Sequence, residues 1–258
     1  MRHVVSRWAI SLKSRVSRIP RRRRSPEIAL LLVCIFLTGC GATKSFYTRE
    51  NVRPEKSVVR VVLMPPDIEL YELTAGGLLE PEAGWTFQAK WHVTAALREE
   101  LKERKAHLVL FQSPTDQPSK YYAYNQIVKL HEAVGGAILV HKYNEQFKLP
   151  TKEDKFDWSL GRGVNVLAKE HDAQYGLFIY LRDSYASADR VTYMVLASIL
   201  SFGHYIPHGG VQVGFASLVD LQSGDIVWFN RLARATGDLR TPEPAHEAVE
   251  ELLTDLPL

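Results

Sequence analysis

From position 58 onward the apolar residues fall into two rhythms, a period of two that marks strands and a period near 3.6 that marks helices. Residues 58–64 (VVRVVLM) are β-branched and stop at Pro65-Pro66, as a strand would. Residues 68–84 keep no clear rhythm, and Gly76-Gly77 and Pro81 mark them as loop. Residues 86–105 predict a helix. On its wheel Phe87, Trp91, Leu97 and Leu101 share about 120° of arc, Glu99, Glu100 and Glu103 lie outside it, and Arg98 snorkels across the stripe. Residues 107–111 read as a short strand and 113–120, with two prolines, as loop. Residues 121–142 read as two helical pieces broken at Gly135-Gly136, and Asp157 as the cap of a helix in which Leu160, Val164 and Leu167 share a face. Residues 175–181 (YGLFIYL) are apolar on both faces, as in a central strand. Two β-type runs, 211–221 and 226–235, are joined by the hairpin signal Gln222-Ser223-Gly224-Asp225. Trp228 on the returning strand is expected to meet Val219 and Leu221 and to be buried. A last helix starts at Thr241-Pro242 and carries Ala245, Val249, Leu252, Leu253 and Leu256 on one face.

The order β-α-β-α-α-β-α-β-β-α predicts one α/β (α+β) layered domain over 58–258. Its mixed sheet has about five strands flanked by helices, and a β-hairpin then a helix end the chain. One segment fits no amphipathic template. Residues 191–202 (VTYMVLASILSF) are apolar almost throughout and rise roughly 18 Å as a helix, too little to cross a ~30 Å hydrocarbon core. A core helix, an oligomer or partner contact, and a segment dipping into the membrane all remain open. The candidate oligomer contact is Met194, Leu196 and Ile199, expected to be partly exposed in a monomer.

The residues before the domain follow another logic. Residues 1–27 are rich in Lys and Arg and end in four consecutive arginines at 21–24. An apolar run follows at 28–37, then Thr38-Gly39-Cys40. That is the order of a secretory signal. Ten helical residues span about 15 Å, half a bilayer's hydrocarbon, so a transmembrane anchor is the weaker reading. Leu37-Thr38-Gly39-Cys40 resembles the lipobox of bacterial lipoproteins. The resemblance implies that 1–39 is a signal peptide, that Cys40 is acylated and first in the mature chain, and that a lipid bilayer is its partner. Two or more acyl chains hold stably at about 0.8 kcal/mol per buried methylene. Gly41, where Asp would retain a lipoprotein at the inner membrane, implies the periplasmic side of the outer membrane. Residues 40–57 then read as the lipidated Cys and a polar tether spanning roughly 20–25 Å.

Composition narrows the chemistry. The chain of 258 residues carries a formal charge of +3, but from position 40 onward 23 basic residues face 28 acidic ones, a net −5. An acidic domain is a poor nucleic-acid binder, so no such partner is expected. Cys34 and Cys40 are the only cysteines. With one cut away and the other acylated, none is left for a disulfide, thiol catalysis or a Cys-based zinc site.

Candidate motifs fail on inspection. His131-Glu132-Ala133-Val134-Gly135 begins like HExxH and puts Gly at the second ligand, while His204 and His208 sit among Gly203, Pro207, Gly209 and Gly210. Gly161-Arg162-Gly163 lies inside the expected helix and lacks a third Gly. Nothing brings together two of Asp172, Asp183, Asp189 and Asp220. No catalytic, cofactor-binding or metal-ligating residue is assigned, and no cofactor is expected. Tyr121, Tyr122, Tyr124, Tyr143, Phe147, Phe156 and Trp158 are expected to pack helices onto the sheet rather than form a binding surface.

The element order of 58–258, with VVLMPP near its start and ASLVDLQSGDIVW at 216–228, resembles a group of envelope lipoproteins. The group includes the curli-secretion channel lipoprotein, the N-terminal domain of TolB and the penicillin-binding-protein activator LpoB. It implies a non-enzymatic scaffold, secretion or assembly subunit, or activator, with a homo-oligomer or an envelope protein as partner. The alternative is a periplasmic hydrolase or ligand-binding lipoprotein with a scattered site.

Overall fold

The computed structural model describes residues 44–48, 58–114, 116–152, 155–201, 210–235 and 237–258. Cys40 and the expected signal peptide lie outside them. In chain order the elements are β1 (Lys44–Tyr47), β2 (Arg60–Leu63), β3 (Asp67–Leu73), β4 (Leu79–Pro81), α1 (Ala83–Glu103), β5 (His107–Leu110) and α2 (Pro118–His141). They continue with α3 (Asn165–His171), β6 (Tyr175–Ala186), α4 (Ala188–Leu200), β7 (Gln212–Asp220), β8 (Ile226–Arg234) and α5 (Pro242–Leu252).

β6 is the axis of the sheet. β7 runs antiparallel beside it from Tyr175↔Asp220 to Asp183↔Gln212. On its other flank β2 pairs with its first residues and β3 with its last, both parallel. Pro65-Pro66 therefore divides two strands that lie end to end on one neighbour. The path β1-β8-β7-β6-β2-β5, with β3 and β4 attached beside β6, makes an eight-stranded mixed sheet among the described residues, not the five expected.

The three additional strands have local reasons. In β3, Ile68 and Leu70 are buried while Glu69 is exposed, a period of two too short to stand out among the acids. Gly77, at φ 86°, turns the chain into β4, so the glycines mark a hairpin and not an open loop. β1 lies within the stretch expected to be tether. Its four residues are ordered by the open edge of β8, in register from Lys44↔Arg231 to Tyr47↔Trp228.

Two helices cover each face. α1 and α5 pack with Leu177, Ile179, Leu218 and Trp228; α2 and α3 pack with Phe178, Phe215, Val219 and Phe229. Trp228 is fully buried as expected, but against α1 and α5, whereas Val219 and Leu221 face the other layer. The alternation of side chains and the register shift at Leu218/Val219 keep them apart.

Three helices also differ from their sequence expectation. α1 buries Ala89, Val93, Ala96, Leu97 and Leu101, a stripe turned by roughly 100° from the one expected, at 100° per residue. Small alanines let the helix lie close to the sheet, which leaves Phe87 and Trp91 outside. α2 passes through Gly135-Gly136 unbroken. A Cβ on Gly135 would stand 2.1 Å from the Phe215 ring, so this glycine serves close packing instead of ending the helix. Asp157 caps nothing. Its carboxylate pairs with Lys152 at 2.9 Å, and the next residues bind the β7–β8 turn through Leu160 N–H to Gly224 O (2.8 Å). Gly161, at φ 73°, lies before the helical segment, and Leu160, Val164 and Leu167 are nevertheless all buried. In α5 the expected apolar face is buried and Thr241 is the N-cap residue, its carbonyl accepting from the Ala245 N–H (3.2 Å) while its hydroxyl donates to Asp238 O.

Candidate interaction surface

The connection from β6 to β7 carries the segment that fits no amphipathic template. At the end of β6 the Ser187 N–H donates to Leu73 O (3.0 Å), while its hydroxyl and carbonyl oxygens accept from the N–H groups of Arg190 (3.0 Å) and Val191 (2.9 Å). That is an N-cap, and it starts α4. The Arg190 guanidinium reaches Ala75 O at 3.4 Å and lies over the Tyr193 ring, so the first turn is fastened to the β3–β4 hairpin. After Arg190 no residue of α4 is charged.

An all-apolar helix normally lies inside a protein. Here Val191, Tyr193 and Val195 are exposed, with Leu196 at 54% and Leu200 at 79%. Met194 is half-buried, and no α4 side chain among those described is buried. The Ile199 side chain lies outside the described residues. Leu78 and Leu79, exposed on the hairpin that receives Arg190, add to the apolar surface. The core-helix reading of 191–202 is overturned for the described residues, because neither sheet face nor helix layer covers α4. A second apolar patch escaped the sequence reading. Phe87 (74%) and Trp91 (71%) stand out on α1 above a groove shared with Lys90, Thr94, Ala95 and Arg98.

Buried polar groups support the sheet from within. Asp183 accepts from the Tyr185 hydroxyl, from Gln212 Nε2 (2.8 Å) and from the Ser184 N–H (2.8 Å). Burial pushes its carboxyl up to about 6, against the lowering effect of those donors. Tyr185 in turn accepts from the Leu239 N–H (2.8 Å), tying β6 to the approach to α5. His131 is enclosed between Phe178 and Phe215, with Nε2 2.9 Å from the Ser217 hydroxyl. Burial holds its imidazole down at about 3, so it is neutral and packs between the two rings.

The remaining candidates stay apart. Asp220 accepts from the N–H groups of Gln222 and Ser223 in the hairpin turn, Asp172 terminates α3 in the left-handed conformation, and Asp189 lies in the first turn of α4. No group of three potential metal ligands occurs among the described residues, and His204 and His208 lie outside them. Of the mid-chain aromatics Tyr124 and Phe156 are buried, while Tyr121, Tyr122 and Phe147 are exposed. No helix among the described residues is long and apolar enough to cross a membrane.

No protein-family model matches the chain, and no curated protein sequence does. Among solved structures it is similar to the PelC dodecamer from Paraburkholderia phytofirmans, at 11% identity and a TM-score of 0.39, over 84% of this chain and 97% of that one. It is also similar to lipoprotein GNA1162 from Neisseria meningitidis, at 13% identity and a TM-score of 0.29, over 68% and 81% of the two chains. Both similarities are distant.

Proposed function

We propose that this is a lipid-anchored protein of the bacterial envelope that works by assembly and not by catalysis, joining copies of itself through the apolar flank of α4. One observation carries the reading: a helix without a charged side chain beyond Arg190 lies on the outside of the domain, with Leu196 and Leu200 more than half exposed. A surface without charge can meet its own copy without like-charge repulsion, as a two-fold interface requires. The anchor is Cys40, through the lipobox Leu37-Thr38-Gly39-Cys40, on the periplasmic side and, by Gly41, at the outer membrane.

Two measurements test it. Native mass spectrometry of the detergent-solubilised full chain is expected to show an oligomer that Leu196→Asp or Leu200→Asp converts to monomer, with the melting temperature unchanged. A wild-type monomer at every concentration, or an oligomer indifferent to both substitutions, overturns the assembly reading. Labelled palmitate is expected in the wild type and absent from Cys40→Ala. Labelling that survives the substitution overturns the anchor.

A further inference from the structure

We propose that the β1 end of the sheet, with Lys44, Lys142 and Arg231, rests on the anionic phospholipid headgroups of the bilayer that holds Cys40. The inference rests on the lipid anchor proposed above and adds an orientation to it. Cys40 and Lys44 are four positions apart, and fully extended chain covers at most about 3.6 Å per residue, so Lys44 stands within roughly 14 Å of the acylated residue. A seventeen-residue tether would let the domain turn freely. Pairing of β1 with β8 from Lys44↔Arg231 onward leaves only residues 41–43 between lipid and sheet.

The side chains gathered at that end have the complementary charge. The Lys44 and Lys142 ammonium groups each lie 5.1 Å from the centre of the Phe46 ring, and the Arg231 guanidinium lies 4.6 Å from that of Tyr143. Phe46 and Tyr143 meet edge to face at 5.0 Å, and the Tyr143 hydroxyl donates to Lys44 O. Three cations thus share one aromatic platform beside the start of β1. Among the described residues, the recess next to Lys142 adds Lys148, Lys152 and Lys155 around Trp158, with Glu145 on Lys148 and Asp157 on Lys152. The acid Asp255 accepts from the Ser45 hydroxyl (2.8 Å), on the other face of β1 from Lys44. Cations this close to an anionic leaflet each strengthen contact roughly fivefold, and salt screens the effect.

The test uses the lipidated full chain in vesicles. The mature protein's one cysteine is acylated in this reading, so Gln146→Cys offers a single site for a fluorophore, and a quencher is carried on lipid headgroups. Quenching is expected to rise several-fold when phosphatidylglycerol is added to phosphatidylcholine vesicles, and to fall back in high salt and in the Lys44→Gln/Lys142→Gln variant. The salt arm needs no substitution, and the melting temperature reads the fold of the variant. Palmitate uptake with quenching indifferent to phosphatidylglycerol overturns the orientation and leaves the anchor standing. Quenching that depends on phosphatidylglycerol but survives the double substitution assigns the contact to another surface and overturns this one. Absence of palmitate from Cys40 removes anchor and orientation together.

Discussion

His131 and Asp183 are buried on opposite faces of one sheet, and burial moves each of them toward its neutral form. The imidazole, held at about 3 against an ordinary 6.5, leaves the folded chain unable to take a proton that the unfolded chain accepts. Stability from this group is therefore complete above about 6.5 and is lost as pH falls toward 3. The Asp183 carboxyl, raised to about 6 from 3.8, works with the other sign. Its contribution is complete below about 3.8 and is lost as pH rises through 6. Each separates the states by about 1.4 kcal/mol per pH unit within its window. Melting temperatures should show it: the advantage of wild type over His131→Gln shrinks by roughly 2–3 kcal/mol between pH 6.5 and 4.5. The deficit of wild type against Asp183→Asn grows between pH 4 and 6. A wild type and variants with parallel pH profiles would contradict both placements. No spacing in the sequence announces Asp183, because its donors come from β6 itself and from β7, and only the fold brings them together.

At the scale of elements, legibility follows where the information lies. β6, β7, β8 and α5 were readable because each carries its own pattern: apolar alternation, a Gly-containing turn, a continuous helical face. β1 was not, because its partner is β8, far along the chain, and KSFY alone has no strand signature. The apolar stripe of α1 points a quarter-turn away from its buried face, since the large Phe87 and Trp91 dominate it while the sheet takes Ala89, Val93 and Ala96 beside Leu97 and Leu101. α2 was cut at two glycines whose environments differ sharply. Gly135 abuts Phe215, and a Cβ on Gly136 would meet nothing within 4 Å. Gly135→Ala is thus expected to lower stability by about 1–3 kcal/mol through overpacking. Gly136→Ala is expected to raise it by up to ~1 kcal/mol, the helix-propensity difference. Chemical denaturation of the two variants checks this, and equal effects would place α2 elsewhere. Of the candidate surface, the apolar content of α4 is legible and the exposure expected for Met194 and Leu196 is found in part, although the pattern alone would serve a core helix equally well.

For the whole molecule, the sheet matters most at its rim. β8 is paired on both sides because β1 covers its outer edge, and the Ser45–Asp255 hydrogen bond links that strand to the chain's last residues. Uncovered, the stretch of β8 from Trp228 to Arg231, with Phe229 in it, is a template for edge-to-edge pairing. A chain that begins after Thr48 is accordingly expected to keep its helices by circular dichroism but to aggregate at concentrations where the longer form stays dispersed. Equal dispersion of the two would show that β1 is dispensable.

The same pairing bears on the order of events during biogenesis. β1 is among the first parts of the domain to be synthesised, and β8, its partner among the described residues, is among the last. Contacts so distant along the chain form late, after the loop between them has closed. The sheet therefore cannot seal until nearly the whole polypeptide has emerged. In the lipoprotein reading proposed above, a chain exported unfolded gains from a domain whose closing strand waits for its own far end, because the topology itself carries that delay.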